Sequence, residues 1–264
     1  MLFLKSISLL IFIAVCSLDA GVIRGHFEPK KIAICIVATG KYIDFAKALI
    51  KSGERFLLPR HRVTYFVFSD TQIQSPNVIW IYQKHEKWPF STLLRFEMYA
   101  KQKEAFETFD YIFAIDADML CVSQVGDELL HERVATTHPG FAIPRKGVTP
   151  AFDSIAASKA YIPPSARGGV YFAGALFGGS RRAFIELIDI CIQNINEDLK
   201  KGIIALYHDE SHLNWYFRKY PPTKILSPSY CYTSSREKAE EWLIYGRFKP
   251  KILCLEKEHK SYRN

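Results

Sequence analysis

The chain has 264 residues, of which 48% are apolar, 14% aromatic and 23% charged. That apolar share builds a sizeable core and excludes a disordered chain or a low-complexity fibre, and 14 Gly with 13 Pro leave no collagen-like bias. The formal net charge of +8 attracts phosphate, but the densest basic clusters are only pairs (Lys30-Lys31, Arg181-Arg182, Lys200-Lys201) and no zinc-finger or ribonucleoprotein motif accompanies them. No nucleic-acid partner is therefore expected, and a small phosphorylated ligand fits the charge as well as a polymer does.

In chain order, residues 1–5 carry one basic side chain, and 9–16 are unbroken apolar within a zone that reaches Ala20. A spanning helix needs about 20 apolar residues. The segment 1–20 therefore reads as a signal peptide cleaved after Ala20, or as a short uncleaved signal anchor. Membrane association would come only through this segment, if it is retained. Residues 21–31 form a short stem, and 32–264 form one folded unit. Five cysteines follow the leader (Cys35, Cys121, Cys191, Cys231 and Cys254) with no CxxC pair. The odd count argues against a disulfide framework, and the missing pairs argue against a cysteine zinc site. Cys35 and Cys121 lie in or beside apolar runs and read as buried small hydrophobes.

Residues 32–38 form a continuous apolar run and predict a fully buried strand. A turn at 39–41 leads into a helix over 42–58, stopped by Pro59. Strands are predicted at 63–68 and 78–82, a helix at 93–109, and a fourth strand at 111–115. A strand at 171–177 runs into Gly178-Gly179, followed by a helix from 182 to about 199. A shorter helix over 208–220 is stopped by Pro221-Pro222. Strands alternating with helices predict an α/β fold with a mostly parallel central sheet. In such sheets ligands bind beyond the carboxyl ends of the strands, which points to the residues after Ala38, Phe68 and Ile115.

Two stretches carry chemistry. Asp116-Ala117-Asp118 follows the fourth strand, and extended alternation would put both carboxylates on one side. Adjacent carboxylates repel, and a hard divalent cation shared with phosphate oxygens removes that cost. A lone DxD also occurs as a solvated turn, but the buried strand before it and the apolar Met119-Leu120 after it favour the site. Arg95, on the preceding helix, is the candidate to orient the pair. The second stretch runs from Tyr207 to Asn214 (YHDESHLN). Asp209 or Ser211 can cap a helix, which explains one or two residues but not the run. Glu210 is a candidate base, nucleophile or cation stabiliser. His208 and His212 stand at i, i+4 but match the HExxH zinc motif only loosely. Between these stretches, 171–180 (YFAGALFGGS) mixes aromatics with small residues that admit a ligand or a neighbouring backbone.

Taken with HRVTYFVFSD (61–70), AIDADM (114–119), THPGF (137–141), AYIP (160–163), PTKILSPSY (222–230) and KEHKSYRN (257–264), these stretches run in family order over nearly the whole chain beyond Lys31. The chain resembles glycosyltransferase family 6, which includes the ABO histo-blood-group transferases and α-1,3-galactosyltransferase. The resemblance implies a GT-A fold. It also implies retaining transfer of galactose (Gal) or N-acetylgalactosamine (GalNAc) from a UDP-sugar to the 3-OH of a β-galactoside, fucosylated or not. By the match, Asp116 and Asp118 hold Mn²⁺, with Mg²⁺ the alternative. Val37, Ala38, Thr39 and Tyr42 line the uridine pocket, while Arg95, Ala117, Gly174 and Asp209 belong to the donor site. Lys257 and Arg263 clamp the diphosphate as the tail closes. His138 and Tyr207 face the acceptor, with Tyr207 replacing the family's usual tryptophan.

Several departures bear on specificity. Bacterial members often carry asparagines in place of the aspartates and work without metal, whereas both aspartates stand here, so metal dependence is expected. The stem is short for a vertebrate Golgi member, which leaves the Golgi lumen or a bacterial cell envelope as the location. Thr233 stands where the blood-group enzymes have an acceptor-side aspartate. Ala173 and Ala175 occupy the donor-discriminating positions, and the small Ala173 leaves room for an N-acetyl group. Two other readings are a degenerate module that binds galactoside or UDP without turnover, and a metal-dependent phosphodiesterase using the same acidic pair. The second would need a further metal or a water-activating base, for which the sequence shows no clear cluster.

Overall fold

The computed structural model describes residues 27–257. The leader and its boundary at Ala20 lie outside the described residues, as does Arg263. In chain order the elements are β1 (Lys31–Val37), α1 (Ile43–Phe56), β2 (Arg62–Ser69), β3 (Val78–Tyr82), α2 (Phe90–Leu93), α3 (Arg95–Ala100), α4 (Lys103–Phe106), β4 (Tyr111–Ile115) and β5 (Met119–Cys121). The second half adds β6 (Arg133–Thr137), β7 (Phe172–Ser180), α5 (Arg181–Leu199), α6 (His208–Lys219), β8 (Lys224–Leu226), β9 (Tyr232–Thr233), α7 (Arg236–Glu241) and β10 (Ile252–Cys254). No helix among the described residues is long and apolar enough to cross a membrane.

Seven strands form one mixed, mostly parallel sheet in the order β3-β2-β1-β4-β7-β6-β8. Strands β1 to β4 are parallel neighbours, and β7 runs antiparallel to both β4 and β6. The run at 32–36 shows why β1 lies near the sheet centre. Ile32, Ile34 and Ile36 enter the apolar cluster on one face with α1, while Ala33 and Cys35 enter the cluster on the other face with α3, α5 and α6. Both faces are covered by helices, so continuous apolarity replaces alternation. Large aromatics fill the second face, where Phe66, Phe106 and Phe184 meet edge to face at 5.1–6.2 Å.

A second, three-stranded sheet joins β5, β10 and β9. It places the end of the described chain beside the acidic turn, because β10 pairs antiparallel with β5 and the Leu255 N–H donates to the Asp118 carbonyl at 2.9 Å. These strands are two or three residues long, too short to show periodicity in the sequence.

Three expectations differ from the structure. The helix expected over 93–109 is three short helices. Leu94 (φ −90°, ψ 8°) and Gln102 (φ −107°, ψ 12°) sit in the bridge region and interrupt it, although Phe96, Tyr99 and Phe106 still reach the core. The break at Leu94 makes Arg95 the first residue of a new helix. The helix expected over 42–58 is shorter, because Leu57 is extended and Leu58 takes φ +50°. The strand expected to end at Phe177 continues through Gly178-Gly179 to Ser180 as β7. A Cβ on Gly178 would lie 2.3 Å from the Ile112 carbonyl oxygen, and one on Gly179 would lie 2.1 Å from that of Glu132. The glycines let β7 run tightly between β4 and β6. All five cysteines named above are free thiols, and four of them are buried.

Gly179→Ala should therefore destabilise the fold by roughly 1–3 kcal/mol through overpacking against backbone. Urea unfolding measures this, and an unchanged midpoint would show that β6 and β7 can separate freely.

Candidate functional site

The carboxyl ends of β1 and β4 open into a cleft. Strand β7 enters the same end from its N-terminal side, since the Asp116 N–H donates to the Ala175 carbonyl at 2.9 Å. Val37, Thr39, Tyr42, Arg95, Asp116, Ala117, Asp118 and Lys257 line a cavity of about 220 Å³. A second cavity of about 340 Å³ shares Arg95 and Asp116 and adds Gly174, Tyr207, Asp209 and Glu210. Trp88 and Thr92 also face both.

Residues 116–118 form a turn, closed by the Met119 N–H donating to the Asp116 carbonyl at 3.2 Å, rather than the expected extended segment. Both carboxylates nonetheless border the first cavity, each on its own cation. Arg95 Nη1 donates to Asp116 Oδ1 at 2.9 Å, and Lys257 Nζ donates to Asp118 Oδ2. The Lys257 ammonium also lies 4.8 Å from the centre of the Tyr42 ring.

Arg95 is the hub. Besides Asp116, its Nη1 donates to the Gly174 carbonyl at 3.0 Å, and its Nε pairs with Asp209 Oδ2 at 3.0 Å. One guanidinium thus joins β4, β7 and α6. Burial opposes its charge, but Asp209 and Asp116 more than offset this and hold Arg95 firmly protonated. Burial pushes Asp209 up to about 7 against the pull of Arg95, with Asp116 and Glu210 adding repulsion. Burial also raises Glu210 and Asp118.

Glu210 is held at both oxygens: Tyr171 Oη donates to Oε1 at 2.8 Å, and the Gly174 N–H donates to Oε2 at 2.7 Å. One turn along α6, the Asn214 side chain accepts from the Phe172 N–H and donates to the carbonyls of Phe172 and Glu210. His208, just before the acids, takes φ +50° and packs edge-on against Trp88 with ring centres 4.8 Å apart.

The structure separates other candidates. Ala38 is fully buried and borders neither cavity, and Ala173 and Ala175 flank Gly174 as buried β7 residues outside the cavity walls. His138 borders neither cavity. It caps a 3₁₀ turn, accepting the Gly140 N–H on Nδ1 at 3.1 Å, and its ring lies 5.7 Å from that of Tyr171. Burial lowers its pKa to about 4, so it is neutral at pH 7 with its proton on Nε2. The two histidines of the i, i+4 pair face different partners: His208 packs on Trp88, while His212 lies 3.8 Å from Asp198. Among the described residues no group of three or more His, Cys, Asp and Glu is placed to hold a metal. Sequence reasoning did not single out Tyr171, Asn214, Trp88, Thr92 or His85, whose Nδ1 lies 2.9 Å from Thr39 Oγ1. Asn214 alone carried a legible signal, four residues after Glu210 on a helix.

The family model for glycosyltransferase family 6 matches residues 12–264 of the chain. The chain is 31% identical to globoside α-1,3-N-acetylgalactosaminyltransferase 1 of Gallus gallus over 246 residues, covering 88% of this chain and 69% of the relative. It is 32% identical to histo-blood group ABO system transferase 1 of Rattus norvegicus over 245 residues, covering 88% and 68%. It is 29% identical to O-antigen biosynthesis glycosyltransferase WbnI of Escherichia coli over 238 residues, covering 88% and 97%.

Two outcomes follow from this geometry. Arg95→Met should cost about 3–5 kcal/mol by leaving buried Asp209 and half-buried Asp116 unpaired, read as a fall in the denaturation midpoint. His212 is 1% exposed and burial lowers its pKa to about 4, below the ~6.5 of an unfolded histidine. The unfolded chain therefore binds the extra proton first, and stability falls as pH drops from 6.5 towards 4. Relative to His212→Gln, the wild type should lose about 3 kcal/mol across that window, and parallel stability curves would refute this.

Proposed function

The chain belongs to glycosyltransferase family 6, and from that premise we propose that it transfers GalNAc or Gal from a UDP-sugar to the 3-OH of a β-galactoside, forming an α-1,3 linkage with retention. The observation that carries this reading is the shared cleft, in which Glu210 and the Asp116/Asp118 pair face adjoining cavities across Arg95. One cavity suits a nucleoside diphosphate and the other a sugar.

The residues fit a divalent cation. When all are ionised, four carboxylates (Asp116, Asp118, Asp209, Glu210) share two cations (Arg95, Lys257), leaving an excess negative charge of two. Asp116 and Asp118 offer hard oxygens and too few protein ligands to enclose the ion, the pattern of a metal completed by phosphate oxygens and water. Bound there, Mn²⁺ or Mg²⁺ would neutralise charge developing on the departing UDP.

The remaining work falls to side chains. Val37, Thr39 and Tyr42, which line the first cavity, bind uridine. Lys257 lies beside Asp118 and, with Arg263, meets the diphosphate. Asp209 binds donor hydroxyls while Arg95 fixes its orientation. Glu210, ionised, faces the anomeric carbon as that carbon becomes cation-like, whether by attack or by charge stabilisation. On the acceptor side Tyr207 is 49% exposed, open to a sugar ring, and His138 offers a neutral Nε2–H. The preference for GalNAc rests on the small side chain of Ala173, which is buried beside the cavity-lining Gly174. The apolar leader fits a role at a membrane or in a secretory route: the Golgi lumen in a eukaryote or the cell envelope in a bacterium.

The test incubates the protein with Mn²⁺, UDP-Gal or UDP-GalNAc, and lactose or its 2′-fucosylated form. An α-1,3-linked product is expected, faster with GalNAc, lost on chelation and reduced at least about 100-fold in Glu210→Gln. Product that survives chelation would overturn the metal role. UDP binding without product from any pair would favour a binding module instead.

A further inference from the structure

Glu210 has three side-chain torsions to fix before its carboxylate can face a reacting carbon. Its backbone is already held, because Asn214 ties α6 to β7 through the carbonyls of Glu210 and Phe172. The carboxylate itself is fixed by one donor per oxygen. The Gly174 N–H is part of β7 and arrives with the strand, whereas the Tyr171 hydroxyl is a separate side chain brought to 2.8 Å of Oε1.

That hydroxyl is itself firmly placed. Tyr171 is 1% exposed. Its ring is wedged between Phe141 and Phe152, each with its centre 5.1 Å away, and His138 closes a third side at 5.7 Å. Its carbonyl accepts the His138 N–H at 2.9 Å. The phenol therefore cannot swing, and its oxygen stands at a fixed point beside Glu210, the second acid in the first turn of α6. A carboxylate oxygen has two lone pairs, so one donor on each oxygen sets the plane and leaves capacity on both.

We propose that Tyr171 is a positioning residue for sugar transfer: its hydroxyl, together with the Gly174 N–H, locks the Glu210 carboxylate in the plane and orientation the reaction uses. This rests on the transferase reading above. The bond also favours the ionised form of Glu210, opposing the burial that raises it. Asp116 and the adjoining Asp209 repel that charge, and Arg95 attracts it. The wedge of Phe141, Phe152 and His138 makes the segment 138–152 part of the same support.

Tyr171→Phe removes the donor and keeps the ring. The expected result is a fall in kcat of about 10- to 100-fold with donor KM changed by less than about threefold. In the Glu210→Gln background the same substitution should add no further loss, because the group it positions is gone. The ¹³C carboxyl signal of Glu210, assigned by its absence in Glu210→Gln, should titrate at higher pH in Tyr171→Phe. Replacing Tyr171 with 3-fluorotyrosine, a stronger donor of the same shape, should move that signal the other way, and it remains available should Tyr171→Phe fail to fold. Unchanged kcat, an equal loss in the Glu210→Gln background or an unmoved titration would each overturn the proposal. A wild-type protein that transfers no sugar would overturn the underlying reading instead, and the two failures are told apart by the wild-type control.

Discussion

A single buried guanidinium holds the site together. Arg95 meets Asp116 at the end of β4, the Gly174 carbonyl in β7 and Asp209 at the start of α6. Holding half-buried Asp116 and buried Asp209 beside Glu210 would otherwise be untenable, since repulsion and the lost hydration of an unpaired buried charge cost several kcal/mol. Arginine suits the place because its planar fork offers several donors in fixed directions, which an ammonium does not. Its position depends on the interruption at Leu94. A continuous helix from Phe90 would not restart at Arg95, and the helix break that shortens the apolar pattern is also what begins α3 with the cation.

The remaining charges are arranged around that hub at graded depth. Asp118 is buried and reaches Lys257, which arrives only because the short sheet of β5, β10 and β9 returns the chain to the acidic turn. Glu210 is half-buried behind the hub and held by uncharged donors. One acid is thus paired to the tail, two to the hub, and one to dipoles. This division separates an ion-binding edge from a sugar-facing floor within one cleft, and the four acids leave room for one more divalent positive charge.

Much of this was legible from residues alone. The strands 32–38, 63–68 and 111–115 were readable because strands buried on both faces are apolar throughout, and the edge strand 78–82 because its β-branched and aromatic residues suit a strand. The acidic turn, the YHDESHLN run and the glycine-bearing strand were visible because polar groups beside apolar runs have few bland explanations. Less visible were β5, β8, β9 and β10, which are only two or three residues long and owe their form to neighbours rather than to pattern. The two breaks near Leu94 and Gln102 carry no proline or glycine, so local propensity gives no sign of them.

The sequence by itself determined the α/β alternation, the family and the chemical inventory of the cleft, because periodicity, motif order and residue type are local properties of the chain. Only the tertiary structure decided which acid pairs with which cation, that Arg95 ties three elements, and that Tyr171 reaches Glu210 across 39 positions. It also carried β7 through Gly178-Gly179, where the sequence pattern ended the strand at Phe177. These are questions of distance between segments remote in sequence. They are settled by packing, which admits one arrangement of backbone and buried charge at a time.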